Sequence, residues 1–252
     1  MRLLVVGGCG LVGSIVVPRL AASHEIRVLD LRAPSSPVSG VDYHQGDLHS
    51  VSLVAQLAEG VDSLVFMAMG PLAGWGEPDN ARAHLDIAGP GLHATLTGAA
   101  RAGVRHMVYT SSMSVYPMDY VDPEIGGDAP VGGGLGRYPS ESVPPSNTDF
   151  YGLAKRIGET VCHAYTVQAD ADAVCLRLCF PTPDSAWPRT GTPMQQAIAT
   201  SARDTAAAID AALRYRGNGF SVFAISGDAA ERTMSLALAR RELGWWPQDP
   251  TA

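Results

Sequence analysis

The apolar run Leu3-Leu4-Val5-Val6, followed at once by glycines at positions 7, 10 and 13, restricts the fold of this chain more than any other stretch. A short β-branched run of this kind reads as a parallel strand buried on both faces, and residues 14–22 read as a helix. Glycines spaced G-x-x-G-x-x-G between strand and helix permit a tight turn, close backbone approach to a pyrophosphate, and close packing of helix on strand. Free N–H groups at the helix start meet the phosphate charge. Gly7, Gly10, Leu11, Val12 and Gly13 are therefore candidate contacts for a dinucleotide. A glycine turn alone is weak evidence; its strand–turn–helix setting gives it force.

Residues 25–30 read as a second strand ending in Asp30, close to where a ribose-binding acid belongs. A carboxylate there accepts from a 2′-hydroxyl and repels a 2′-phosphate, which favours NAD over NADP. NADP is not excluded, because Arg32 is either a loop arginine or a partner for that phosphate. Residues 41–45 read as a third strand. After it, Asp47 either reaches the adenine amine or caps the helix begun near Ser50, with Leu48 beside it in the candidate cofactor set. Residues 61–68 form a fourth strand whose small terminal Ala68 lets a cofactor lie across the strand ends.

Residues 79–102 read as mostly helical, kinked or interrupted at Gly89-Pro90-Gly91. A fifth strand, 106–110, carries Ser111-Ser112-Met113-Ser114 at its carboxyl end, where open parallel sheets bind ligands. Residues 117–147, rich in proline and glycine, read as an active-site lid or a flexible linker. Strands at 173–179 and 220–225 and a last helix at 229–243 complete an α/β chain. Its alternation implies a Rossmann-type doubly wound parallel sheet with a small C-terminal substrate-binding region. Residues 1–180 form the NAD-binding domain with the site; 181–252 pack on it and are not an independent domain.

Tyr151 and Lys155 stand four residues apart in a stretch that reads as helix to about 168, so they share one face. An ammonium near a phenol favours its ionised form, and the pair supplies a general acid/base.

The formal net charge of −7 and pI near 5.4 argue against a nucleic-acid partner. Apolar runs are strand-sized, which argues against a membrane span, and no signal-peptide pattern opens the chain. Four scattered cysteines (Cys9, Cys162, Cys175, Cys179) fit reduced thiols and a cytoplasmic setting. The histidines lack ligand spacing, and no metal is expected.

The ordered set Gly7-x-x-Gly10-x-x-Gly13, Asp30, Gly46-Asp47-Leu48, Tyr109 to Tyr116, Tyr151-x-x-x-Lys155 and Leu176-Arg177-Leu178 resembles the extended short-chain dehydrogenase/reductase superfamily, of the NAD-dependent epimerase/dehydratase type. The resemblance places the catalytic serine on Ser112. It implies that Ser112 and Tyr151 bond the reacting sugar oxygen while a hydride passes between substrate carbon and nicotinamide. Lys155 then holds the nicotinamide ribose and lowers the Tyr151 pKa. The implied substrate is a sugar or sugar derivative, and a homodimer through the two long helices is the implied assembly.

Three departures matter. Ala88 stands where relatives often carry asparagine. Met113-Ser114 replaces the Asp-Glu pair of dehydratases, which disfavours water elimination. The strand end Cys179-Phe180-Pro181 and the short stretch after it leave little chain for a nucleotide-sugar pocket, and resemble compact uronate dehydrogenases. Oxidation of a free sugar acid is thus one alternative, for which Arg177, Arg189 and Arg203 are candidate carboxylate partners; Arg177, in a strand, reads equally as a structural ion-pair member. A catalytically inactive NAD-binding regulator is the alternative of another class.

Overall fold

The computed structural model describes residues 1–117, 138–217 and 219–251. Seven strands form one wholly parallel sheet: β1 (Arg2–Val6), β2 (Glu25–Asp30), β3 (Asp42–Gln45), β4 (Ser63–Phe66), β5 (His106–Ser112), β6 (Asp172–Leu178) and β9 (Phe220–Ile225), in the order β3-β2-β1-β4-β5-β6-β9. Two residue pairs, β7 (Pro181–Thr182) and β8 (Thr200–Ser201), make a separate small ladder. The central strands β4 and β5 are buried along their whole length, whereas the edge strand β3 reads Asp-Tyr-His-Gln and is half exposed. That contrast is what a sheet covered on both faces requires.

Alternate residues of β1 feed two cores. Leu3 and Val5 join the side packed by α1 (Leu11–Leu20) and α7 (Ala202–Arg214). Leu4 and Val6 join the side packed by α2 (Val51–Leu57), α4 (Leu92–Arg101) and α5 (Phe150–Ala169). The chain thus contributes α7 and β9, both from its last quarter, to the same body as β1. The strand order reverses between β1 and β4, and a crevice opens there at the carboxyl ends of the strands.

One expectation holds and one changes. The α-helical pattern of 79–102 is interrupted around its proline. A short α3 (Ala81–Asp86) runs through a π-type turn at Ile87–Gly91 into α4, and that turn accommodates the missing Pro90 N–H. The helix expected over 229–243 forms only in its second half. The Asp228 carboxylate accepts from the Thr233 N–H and hydroxyl, each at 2.7 Å, and Glu231 has φ +50°, so a local carboxylate-closed loop displaces the helix. A short α6 (Pro193–Ile198) opens on a capping box made by Thr192 and Gln195.

The lid expected over 117–147 lies mostly outside the described residues. Its described end is pinned: Tyr138 N–H donates to the Thr233 carbonyl (2.7 Å) and the Tyr116 hydroxyl to the Val143 carbonyl (2.5 Å). Among the described residues, no helix is long and apolar enough to cross a membrane, and no three His, Cys, Asp or Glu side chains gather as metal ligands.

Candidate active site

At the end of β1, Gly7 adopts φ +84°, and a Cβ there would collide with the backbone nitrogen of Ala68 at the end of β4. Glycine therefore lets the two strand ends close on each other. Gly10 is the N-cap of α1 and supplies no side-chain cap, so the first-turn N–H groups of Leu11, Val12 and Gly13 face the crevice without a capping partner. Leu11 is 44% exposed there. An uncapped helix start behind a tight glycine turn fits a pyrophosphate.

Asp30 ends β2 beside this turn. Its carboxylate accepts from the Cys9 N–H (2.9 Å) and the Arg32 N–H (3.0 Å). Arg32 itself extends outward, with its guanidinium 3.9 Å from Asp30. Asp47 lies farther along the rim and accepts from the His49 N–H and ring; Ser50, not Asp47, caps α2. Those bonds hold the Asp47 carboxyl below its ordinary pKa. Leu48 is buried, with its carbonyl accepting from the Thr95 hydroxyl.

Ser112 is the last residue of β5, and its hydroxyl accepts from the Ser114 N–H at 3.1 Å. Tyr151 lies in the first turn of α5, capped by Asp149. A Cβ at Gly152 would meet the Ser114 carbonyl, so this glycine lets the helix start sit directly on the end of β5. The Ser112 hydroxyl consequently lies close to the Tyr151 hydroxyl and favours its ionised form. One turn on, the buried Lys155 ammonium donates to the Thr110 carbonyl at 2.6 Å and lies 5.7 Å from the Tyr151 ring centre.

Burial governs the charges of this pair. It pushes the Tyr151 hydroxyl up to about 12, against the opposing pull of the Ser112 hydroxyl. It pushes Lys155 down to about 8, while Glu159 pulls the other way. Desolvation is the largest influence on the Tyr151 hydroxyl, and Ser112 offsets it only in part.

A cleft of about 470 Å³ joins these parts, lined by Leu11 and Val12 from α1 and by Ser112, Tyr151 and Lys155. The sequence alone did not reveal its far wall. Met69, Leu72 and Trp75 come from the loop after β4, Met113 follows β5, and Phe180 follows β6. Trp75 stands edge-on to Tyr151 at 4.7 Å. His84 also meets the Tyr151 ring edge-on, at 5.7 Å, one helical turn before the buried Ala88. No local pattern marks these residues, because they converge from separate loops.

The three candidate arginines part company. Arg177 is buried and pairs with Glu159 through two hydrogen bonds (2.9 and 2.8 Å) while donating to the Tyr116 hydroxyl (2.8 Å). Arg203 pairs with Asp249 on the surface at 2.5 Å. Only Arg189 lines the cleft, its guanidinium 4.8 Å from the Phe180 ring centre.

The model of the NAD-dependent epimerase/dehydratase family matches residues 3–182. The chain belongs to this family. NAD, the cofactor class expected from the glycine turn and Asp30, is the one in the family's description. An L-arabinose 1-dehydrogenase (NAD(P)(+)) of Haloferax volcanii is 26% identical over 183 residues, covering 70% of this chain and 66% of that protein. A (4-alkanoyl-5-oxo-2,5-dihydrofuran-3-yl)methyl phosphate reductase of Streptomyces griseus is 32% identical over 122 residues, covering 48% of this chain and 38% of that protein. The matched stretch is under two thirds of the length of either relative. Uronate dehydrogenase from Agrobacterium tumefaciens has a similar fold, with TM-score 0.75 at 21% identity over 99% of this chain and 85% of that one.

Proposed function

We propose that this family member transfers a hydride between NAD and a secondary alcohol carbon of a small, sugar-like acid, with Tyr151 as the proton donor and acceptor. The observation that carries the reading is the convergence of the Ser112 and Tyr151 hydroxyls with Lys155 in the cleft that α1 enters. That convergence also favours catalysis over mere cofactor binding.

Residues 7–13 hold the pyrophosphate by backbone N–H groups, Asp30 takes a ribose hydroxyl, and Ala68 leaves room across the strand ends. Asp30 favours NAD over NADP, because a 2′-phosphate meets its charge. NAD when bound supplies the hydride acceptor, and its reduced form the donor. Ser112 donates to the reacting oxygen and fixes its position. Tyr151 exchanges the proton with that same oxygen. With its pKa near 12, Tyr151 keeps its proton at neutral pH, which is the acid form that carbonyl reduction requires. Oxidation requires the phenolate, which nearby positive charge favours. Lys155, mostly protonated below about 8, provides part of that charge. The tail after residue 180 contributes Arg189, which supports an acidic substrate and the uronate-dehydrogenase-like variant of this reading.

The test is absorbance of reduced nicotinamide after mixing protein, NAD and a panel of sugars, sugar acids and their lactones. Tyr151→Phe is expected to lower turnover by about 10²–10⁴-fold while NAD affinity stays within about threefold. Full turnover by Tyr151→Phe would remove the proposed mechanism.

A further inference from the structure

The reacting groups account for one wall of the cleft; the opposite wall has a composition of its own. Met69, Leu72, Trp75, Met113 and Phe180 line it, and Arg189 stands among them. Leu72 is 55% exposed at the mouth, an unusual exposure for a leucine facing a binding cleft. Polar side chains nearby are largely engaged within the protein. The Thr110 hydroxyl donates to the Phe66 carbonyl (3.2 Å), the Ser111 hydroxyl to Glu159 (2.7 Å), and the Gln195 side-chain carbonyl accepts from the Thr192 N–H (3.1 Å). Against the described lining, a fully hydroxylated ring would therefore place several hydroxyls on hydrocarbon without partners, which is unfavourable.

Arg189 shows the opposite need. Its Nε is buried without a hydrogen-bond partner, and it forms no ion pair among the described residues. Stacking on Phe180 holds the guanidinium beside the cleft. Phe180 itself has φ +39°, kept in that conformation while its carbonyl accepts from the Thr182 hydroxyl (2.7 Å). Such backbone costs on the order of 1 kcal/mol or more for a residue with a Cβ and recurs at ligand sites.

We propose that the substrate is a hydroxyl-poor anion: an acidic group meets Arg189, a hydrocarbon flank packs on Leu72, Trp75 and Met113, and the reacting alcohol or ketone lies between them at Tyr151. This rests on the hydride-transfer reading for the position of the reacting carbon. It narrows the sugar-like acid to a deoxygenated one, a cyclic keto or hydroxy acid or phosphate ester in place of a polyol. Leu72 and Met113 become the residues that set specificity, and Arg189 the one that sets charge.

The test is calorimetric titration of the protein, saturated with NADH, with 3-oxocyclohexanecarboxylate, 3-oxocyclohexyl phosphate, galacturonate and cyclohexanone, with NADH consumption by the ketones and, in separate mixtures with NAD, NADH formation from galacturonate followed in parallel. One of the two ring anions is expected to bind at least about tenfold more tightly than galacturonate or cyclohexanone, a gap of about 1.4 kcal/mol. Comparison of those two anions identifies the acidic group. Arg189→Gln should weaken the preferred anion about tenfold and leave cyclohexanone unchanged. Leu72→Asn should narrow its lead over galacturonate. Galacturonate binding as tightly as both ring anions, no binding by either ring anion, or an Arg189→Gln protein of unchanged selectivity would each overturn the proposal. Tight binding of a ring anion with no NADH consumption would count against hydride transfer and leave the substrate class standing. NADH formation from galacturonate and NAD, with no turnover of either ring anion, would do the reverse.

Discussion

The two halves of the cleft are built by different means. On the cofactor side the main chain does the work: Gly7 brings two strand ends together, Gly10 leaves α1 uncapped, and Asp30 is tied to the turn through backbone N–H groups. On the substrate side the work falls to side chains from four separate stretches, Leu72 and Trp75, Met113, Phe180, and Arg189. A backbone-built half tolerates almost no change at Gly7 or Gly13, where a Cβ would meet main-chain atoms, whereas a side-chain half can be rewritten while the fold stands. Between them runs a buried fastening. Glu159 on α5 accepts from Ser111 on β5 and from Arg177 on β6, and Arg177 reaches Tyr116.

Breaking that fastening should produce the largest loss of stability. Arg177→Met strands the Glu159 carboxylate in the core and is expected to cost about 3–5 kcal/mol, read by urea denaturation. Arg177→Met combined with Glu159→Leu should cost less than the single change, since no lone charge remains. Equal losses in both proteins would show that the pair matters through shape and not charge.

Next comes the pH response of the junction at Lys155. Its pKa falls from 10.5 when unfolded to about 8 when folded, so the unfolded chain binds the extra proton between those values. Stability should therefore rise with pH from about 8 to 10.5, by up to roughly 3 kcal/mol relative to Lys155→Met. Tyr151 works in the opposite sense. Its pKa of about 12 exceeds the usual 10, so the folded state holds its proton longer and stability falls above pH 10. Denaturant midpoints across pH 7–11 for the parent, Lys155→Met and Tyr151→Phe proteins check both slopes.

Gly7→Ala tests the backbone half. The added methyl meets main-chain atoms of Ala68 at a positive φ, and a loss of about 1–3 kcal/mol with weakened NAD binding is expected. A protein that melts and binds NAD like the parent would show that the strand ends need no such approach. The smallest effect on stability belongs to the other half. Leu72→Ala, at an exposed position, should change it by less than about 0.5 kcal/mol while altering substrate selectivity.

The elements that could be read locally were those whose signal is a local repeat. The buried run at residues 3–6, the glycine spacing and the four-residue step from Tyr151 to Lys155 each report a backbone geometry within a few residues. Strand 220–225 was placed correctly for the same reason. The helix over 229–243 was not, because the bonds from Thr233 to Asp228 override helical propensity. Arg177, in a strand, reads equally as a carboxylate partner or a structural ion-pair member, and sequence does not choose between them. The choice depends on Glu159, which stands 18 positions from Arg177 and faces it only once α5 packs on the sheet.

By itself the sequence determined a parallel α/β sheet with a glycine turn, an acidic strand end and a paired tyrosine and lysine, because each is written in spacing along the chain. Only the tertiary structure decided that burial is the largest influence on the Tyr151 proton. It alone showed that Arg177 is spent on Glu159 while Arg189 lines the cleft together with Met69, Leu72, Trp75, Met113 and Phe180. Those outcomes depend on desolvation and on contacts between distant segments, and neither quantity exists until the chain has folded.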